Sequence, residues 1–233
     1  MDFSGKHIVV TGGSGALGTA VAGALIGAGA TCTIPYVHDT EADRFPYRDT
    51  RQATLIKVSD LADEAEVAKV YAGSKFPLWA SIHIAGGFAA GKITESSKTA
   101  LMAQIDSNLT SCFLCCRAAV KVMLGGSGGR IVNVTARPAL EPRSGAGMTA
   151  YTVSKAGVAA LTMALAEEVV KDGILVNAVA PSIMDTEANR KAMPKADHSA
   201  WPKVEEVAAT IVFLASPDNR VSRGAIVPVY GKS

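Results

Sequence analysis

The amino-acid sequence predicts an α/β protein in which a doubly wound parallel sheet of about seven strands lies between two layers of helices. Three observations carry this expectation. Short apolar runs of strand length alternate with longer stretches of helical length along the whole chain. The runs are apolar throughout, as in strands covered on both faces, and do not alternate with polar residues. A glycine-rich turn separates the first run from the first helical stretch. The strands are expected at residues 7–10, 31–37, 54–58, 80–84, 130–134, 174–180 and 225–229, and the helices at 16–28, 64–71, 99–123, 149–170 and 204–215. No internal repeat interrupts the series, and the glycine-serine stretch at 125–129 is a turn into a strand, so residues 1–233 are expected to form a single domain.

Composition narrows the function classes. With 48% hydrophobic and 19% charged residues the chain is not of the disordered kind. Its 23 Lys+Arg against 21 Asp+Glu leave a net charge of +2, which offers no basic face for nucleic acid. Apolar runs fall short of the roughly 20 residues that a membrane span needs, so no membrane partner is expected. The polar start, Met1 to Lys6, is unlike a signal peptide, and the expected compartment is the cytoplasm. Cys32, Cys112, Cys115 and Cys116 are too few and too clustered for a disulfide framework. Cys112 and Cys115 spell C-x-x-C, but inside a helical pattern and without a second Cys/His pair at zinc spacing. They read as buried small side chains, and no metal is expected.

Taken in order, the first strand runs into Thr11-Gly12-Gly13-Ser14-Gly15-Ala16-Leu17-Gly18 and then an apolar helix. From Gly13 this is G-x-G-x-x-G between a strand and a helix, the Rossmann-type context in which glycines let the backbone approach a pyrophosphate at a helix N-terminus. The second strand ends with Tyr36 where an acid would read the adenosine ribose of NAD(H), and Asp39 comes a few residues late. His38, Arg44 and Arg48 follow, so the cofactor is NADP(H) or NAD(H), with the balance toward NADP(H). At the end of the third strand, Asp60 and Leu61 suit an adenine ring, and Asp60 reads equally as a helix N-cap.

Tyr151 and Lys155 share one helix face at i and i+4, where the ammonium could stabilise a phenolate and lower the Tyr pKa toward the working pH. That pair would serve as general acid for a carbonyl or imine. Together with the Gly-rich turn, Asp60, Asn108, and Pro181 to Thr186, it falls in the order and spacing of the short-chain dehydrogenases/reductases, which the chain resembles over nearly its full length. The resemblance implies Tyr151 as proton donor, Lys155 as holder of the nicotinamide ribose, and Asn108 at a helix kink carrying a proton relay. It also implies cofactor contacts from Ala85, Gly86 and Gly87, and from Pro181, Met184 and Thr186, and a small-molecule substrate. By the same resemblance the helices starting near Thr99 and Thr149 would build a homo-oligomer, a dimer or tetramer.

The departures from the family pattern are specific. Ala136 stands where the carbonyl-polarising Ser is usual, leaving Thr135 as the adjacent candidate hydroxyl. Ala85-Gly86-Gly87-Phe88, the lost Ser, and the stretch from Asp185 to Trp201 are similar to the dihydropteridine-reductase branch, whose substrate is a quinonoid pterin. Met184, Met193 and Trp201 could pack on a flat ring or simply fill a structural loop, and His83 reads as a buried strand residue. The expected activity is NAD(P)H-dependent reduction of a carbonyl, imine or quinonoid acceptor. The alternative is a non-catalytic NAD(P)-binding redox sensor of the same fold.

Overall fold

The computed structural model describes residues 1–72 and 77–233. Strand β1 (His7–Thr11) leads into α1 (Ala16–Gly27), followed by β2 (Thr31–Tyr36), α2 (Asp39–Arg44), β3 (Ala53–Lys57), α3 (Glu64–Ala72) and β4 (Leu78–His83). Next come α4 (Lys98–Gln104), α5 (Ser111–Met123), β5 (Gly129–Val134), α6 (Arg137–Leu140), α7 (Thr149–Glu168) and β6 (Ile174–Pro181). The chain closes with α8 (Glu187–Ala192), α9 (Val204–Ala215) and β7 (Ile226–Val229). All strand pairs are parallel, in the order β3-β2-β1-β4-β5-β6-β7. The strands stand within two residues of the expected bounds.

Strand alternation divides the core into two layers. Ile8 and Val10 of β1 pack with Val21 and Leu25 of α1 and with Val207 and Ile211 of α9. Val9 faces the other way, toward Val70 of α3, Leu114 of α5 and Val158 of α7. Each such buried Val, Ile or Leu contributes about 1.5–3 kcal/mol. The same parity puts Ser81, His83 and Asn133, all buried, on the α3, α5 and α7 side, where Tyr71 and Thr162 meet them.

One expectation is corrected. Residues 99–123 are not one uninterrupted α-helix: a π-helical turn at Ile105–Thr110 separates α4 from α5, at the kink that the resemblance implies for Asn108. Such turns insert a residue into the helix, and here the polar Asp106-Ser107-Asn108 sits at the insertion. Strand order reverses between β1 and β4, so the crevice at their C-terminal ends is the expected ligand site. No helix among the described residues is long and apolar enough to cross a membrane.

Candidate active site

The crevice begins with the turn after β1. Gly15, the N-cap of α1, has extended backbone and no side-chain cap, and the first turn of the helix carries no acid. Its N–H groups therefore face an exposed end, at Gly15 and Ala16, with no side chain answering them. An uncapped positive helix end suits an anion such as a pyrophosphate. The turn is held by the Gly15 N–H donating to Gly12 (3.1 Å) and the Thr19 hydroxyl donating to Gly13 (3.4 Å). Ser14 is half-buried, Leu17 is buried in the core and offers a ligand only backbone, and Gly18 is buried against Gly12 and Gly13.

At the neighbouring strand ends, Tyr36 is half-exposed and His38 exposed. The Glu41 carboxylate accepts from the Val37 and His38 N–H groups at 3.0 and 3.3 Å. Asp39 is tied to Lys57 at 2.7 Å, and this partner raises the Lys57 pKa. Arg48 is engaged by Asp43 and Asp49, whereas Arg44 is exposed and makes no ion pair among the described residues. Asp60 caps a turn through the Ala62 N–H (2.8 Å), and the side chain that caps α3 is Asp63. Leu61 is buried.

Across the crevice, α7 brings Tyr151 and Lys155 to the end of β5. Lys155 is buried and its ammonium donates to the Val134 carbonyl at 2.9 Å, with the Tyr151 ring centroid 6.0 Å away. Burial pushes Lys155 down to about 8, opposed by the neighbouring Cys112 sulfur. Burial also pushes Tyr151 up to about 12. The direction at Tyr151 is therefore opposite to the expected lowering by the ammonium: desolvation of the phenolate sets it. Tyr151 stays protonated throughout the neutral range.

Asn108 lies in the π-turn and clamps the loop after β4. Its amide donates to the Gly87 and Gln104 carbonyls at 2.9 and 3.1 Å and accepts from the Gly87 N–H at 3.2 Å. A Cβ at Gly86 would meet Asn108 Oδ1 at 2.4 Å and Lys155 Nζ at 3.4 Å, so the loop approaches both groups closely. Ala85 is half-buried, and its N–H donates to the Thr11 hydroxyl at 3.4 Å. Phe88 beside it is 62% exposed and meets the Tyr151 ring edge-on, centroids 5.0 Å apart at 82°. In the sequence Phe88 marks only kinship, and its signal for a place in the site is an aromatic three residues past Ala85 on a strand-end loop.

Thr135 does not present a free hydroxyl. It is buried, and its hydroxyl donates to the Lys155 carbonyl at 2.6 Å, while Ala136 beside it is also buried. On the far side Pro181 ends β6 and Met184 packs partly on the core. The Thr186 hydroxyl N-caps α8 by accepting from the Asn189 N–H at 3.2 Å. Trp201 is buried, which is the structural-loop reading of that side chain.

The short chain dehydrogenase family profile matches residues 6–197. Galactitol 2-dehydrogenase of Rhizobium johnstonii is 33% identical over 245 residues, covering 97% of this chain and 94% of that one. The 2,3-dihydroxy-2,3-dihydro-p-cumate dehydrogenase of Pseudomonas putida is 28% identical over 253 residues, covering 100% and 96%. Among solved structures, a blue fluorescent protein from a metagenomic library in complex with NADPH superposes with a TM-score of 0.89 at 28% identity, covering 100% of this chain and 99% of that one.

Proposed function

Because the chain belongs to the short-chain dehydrogenase family, we propose that it is an NAD(P)H-dependent oxidoreductase, favouring NADPH, that reduces a carbonyl, imine or quinonoid acceptor with Tyr151 as proton donor. The observation that carries this reading is the half-buried, protonated Tyr151, one helical turn from Lys155 and beside the clamp that Asn108 makes on Gly87. A bound nicotinamide dinucleotide supplies the hydride. The residues present fit one: the uncapped turn from Gly12 to Gly18 would take the pyrophosphate, Asp60 and Leu61 the adenine, and Ala85 to Gly87 with Lys155 the nicotinamide ribose. Pro181, Met184 and Thr186 would flank the nicotinamide. NADPH is favoured because Asp39 is neutralised by Lys57 and Arg44 has no competing carboxylate partner among the described residues, leaving Tyr36, His38 and Arg44 for a 2′-phosphate.

Reduction of a ketone leaves an alkoxide, a base stronger than a phenolate, to which Tyr151 gives up its proton downhill even from a pKa of about 12, whereas the anion of a reduced quinonoid ring is itself of phenolate strength and needs the proton less. The resulting phenolate lies beside the Lys155 ammonium. Thr135 is assigned a positioning role, holding α7 through the Lys155 carbonyl. With no hydroxyl at Ala136 the acceptor must itself be electron-poor, and a planar quinonoid ring, a pterin included, meets that condition. Phe88 is placed to pack on such a ring, and Phe88→Ala should raise KM for planar acceptors about 2- to 12-fold, the worth of one aromatic pair, without changing NADPH affinity. An unchanged KM would remove Phe88 from the substrate site.

The experiment is loss of NADPH or NADH absorbance against a panel of quinonoid dihydropterin, quinone, ketone and imine substrates. Turnover with a higher kcat/KM for NADPH is expected. Tight cofactor binding without turnover on any substrate would support the redox-sensor reading instead. We read the protein as one cytoplasmic domain: its four free thiols suit a reducing compartment. Exposed Leu101, Met102, Phe113, Val153 and Met163 on α4, α5 and α7 support a homo-oligomer, which sedimentation would check.

A further inference from the structure

Buried polar groups that the reductase chemistry does not use gather beneath α5. Cys112 and Cys116 stand one turn apart on the same face of that helix, the face that begins with Asn108 in the preceding turn. Opposite them is His83, the last residue of β4. The two sulfurs and a ring nitrogen of His83 all lie within 4.8 Å of one another. Cys116 Sγ is 3.4 Å from His83 Nδ1 and 3.5 Å from Asn133 Oδ1, and that oxygen is 2.8 Å from His83 Nδ1. A tetrahedral zinc with bonds of about 2.0–2.3 Å keeps its ligand atoms about 3.3–3.8 Å apart, so the widest separations need closing by about an ångström or less, while His83 Nδ1 and Asn133 Oδ1, at 2.8 Å, must part by about half an ångström.

From this arrangement we propose that His83 Nδ1, Cys112 Sγ and Cys116 Sγ, with Asn133 Oδ1 as fourth donor, bind one thiophilic d10 cation, Zn2+ by donor set. The outer contacts are already in place. His83 Nε2 faces the Ser81 hydroxyl at 2.8 Å and the Tyr71 hydroxyl at 3.3 Å, and those two hydroxyls are 2.7 Å apart. In the metal-free structure the 2.8 Å contact with the Asn133 oxygen puts the ring proton on Nδ1, so binding moves that proton to Nε2, where the Ser81 and Tyr71 hydroxyls can accept it, and frees Nδ1 for the metal. The Asn133 amide donates to the Thr162 hydroxyl at 2.9 Å, which leaves its oxygen facing His83 and the Cys116 sulfur. Binding displaces the two thiol protons to solvent, leaving two thiolates, an imidazole and an amide oxygen around the ion. All three principal ligands are buried, so the ion enters during folding or when α5 opens. Once bound it joins α5 to β4 directly behind Asn108.

The test is titration of chelator-treated protein with Zn2+ and with Cd2+, whose thiolate-to-metal charge-transfer band reports sulfur ligation. One ion per chain in native mass spectra, the band with Cd2+, and a raised melting temperature are expected. Cys112→Ser with Cys116→Ser should remove all three, and His83→Gln should weaken binding, while Cys32→Ser and Cys115→Ser should leave it intact. NADPH binding checks that each variant is folded. A wild-type protein that gives no band, or a band that survives in the double variant, would overturn the proposal whatever the reductase assays show.

Discussion

Tyr151→Phe should lower kcat for reduction by about 10²–10⁴-fold, the worth of a positioned proton donor, while the NADPH dissociation constant stays within about twofold. Only the hydroxyl is lost. The ring still packs edge-on against Phe88 at the head of α7, so folding stability should change little. Direction follows from the raised pKa. A phenol held at about 12 carries its proton across the neutral range, so this group does not limit reduction there. Oxidation of an alcohol needs the phenolate, which the same burial disfavours, and the reverse rate should therefore climb with pH as Tyr151 titrates. Steady-state rates in both directions, with calorimetric NADPH binding, check this. A variant that reduces substrate within about tenfold of wild type would mean that another group or water delivers the proton.

The alternation of strands and helices was legible because strands covered on both faces are mostly apolar and do not alternate, as in the buried β1, β4, β5 and β6. The Gly-rich turn and the Tyr151–Lys155 pair were legible because their spacing is local. What escaped was set by polar detail. The π-turn leaves no mark on apolar periodicity, so only the resemblance marked a kink at Asn108, and the short α2, α6 and α8 have no buried residues and so no stripe to read. The Thr135 hydroxyl could have been placed from parity. It is two residues beyond Asn133, which faces α7, and it too bonds to α7, at the Lys155 carbonyl. The pairing of Asp39 with Lys57, which bears on cofactor choice, and the meeting of His83 with Cys112 and Cys116 depend on chain segments far apart in sequence. Both needed the sheet order before they could be seen.

Gly18→Ala is expected to be the most damaging small substitution in the dinucleotide turn, lowering stability by about 1–3 kcal/mol as an overpacked site. It should also weaken NADPH binding at least about tenfold, or about 1.4 kcal/mol. A Cβ at this position falls 2.0 Å from the Gly12 carbonyl oxygen and 2.5 Å from Gly13 Cα. Both are backbone, so no side chain can rotate away and the turn itself must lift off α1. It has nowhere to go. On its other side Gly12, at φ +67°, already lies so close to β4's end that its own Cβ would sit 2.7 Å from the Ala85 nitrogen. The turn is pinched between helix and strand, and the displacement that relieves the clash also swings the uncapped N–H groups of α1 out of line with a bound phosphate. Gly27→Ala, in the last turn of the same helix, is the matched control. Nothing lies within 4 Å of its Cβ, and it should leave NADPH binding alone while stabilising the fold by up to about 1 kcal/mol. Thermal melts and NADPH titrations of the two variants separate helix propensity from turn geometry. A Gly18→Ala protein with wild-type melting and wild-type NADPH affinity would show that the contact between α1 and the turn does not shape the cofactor site.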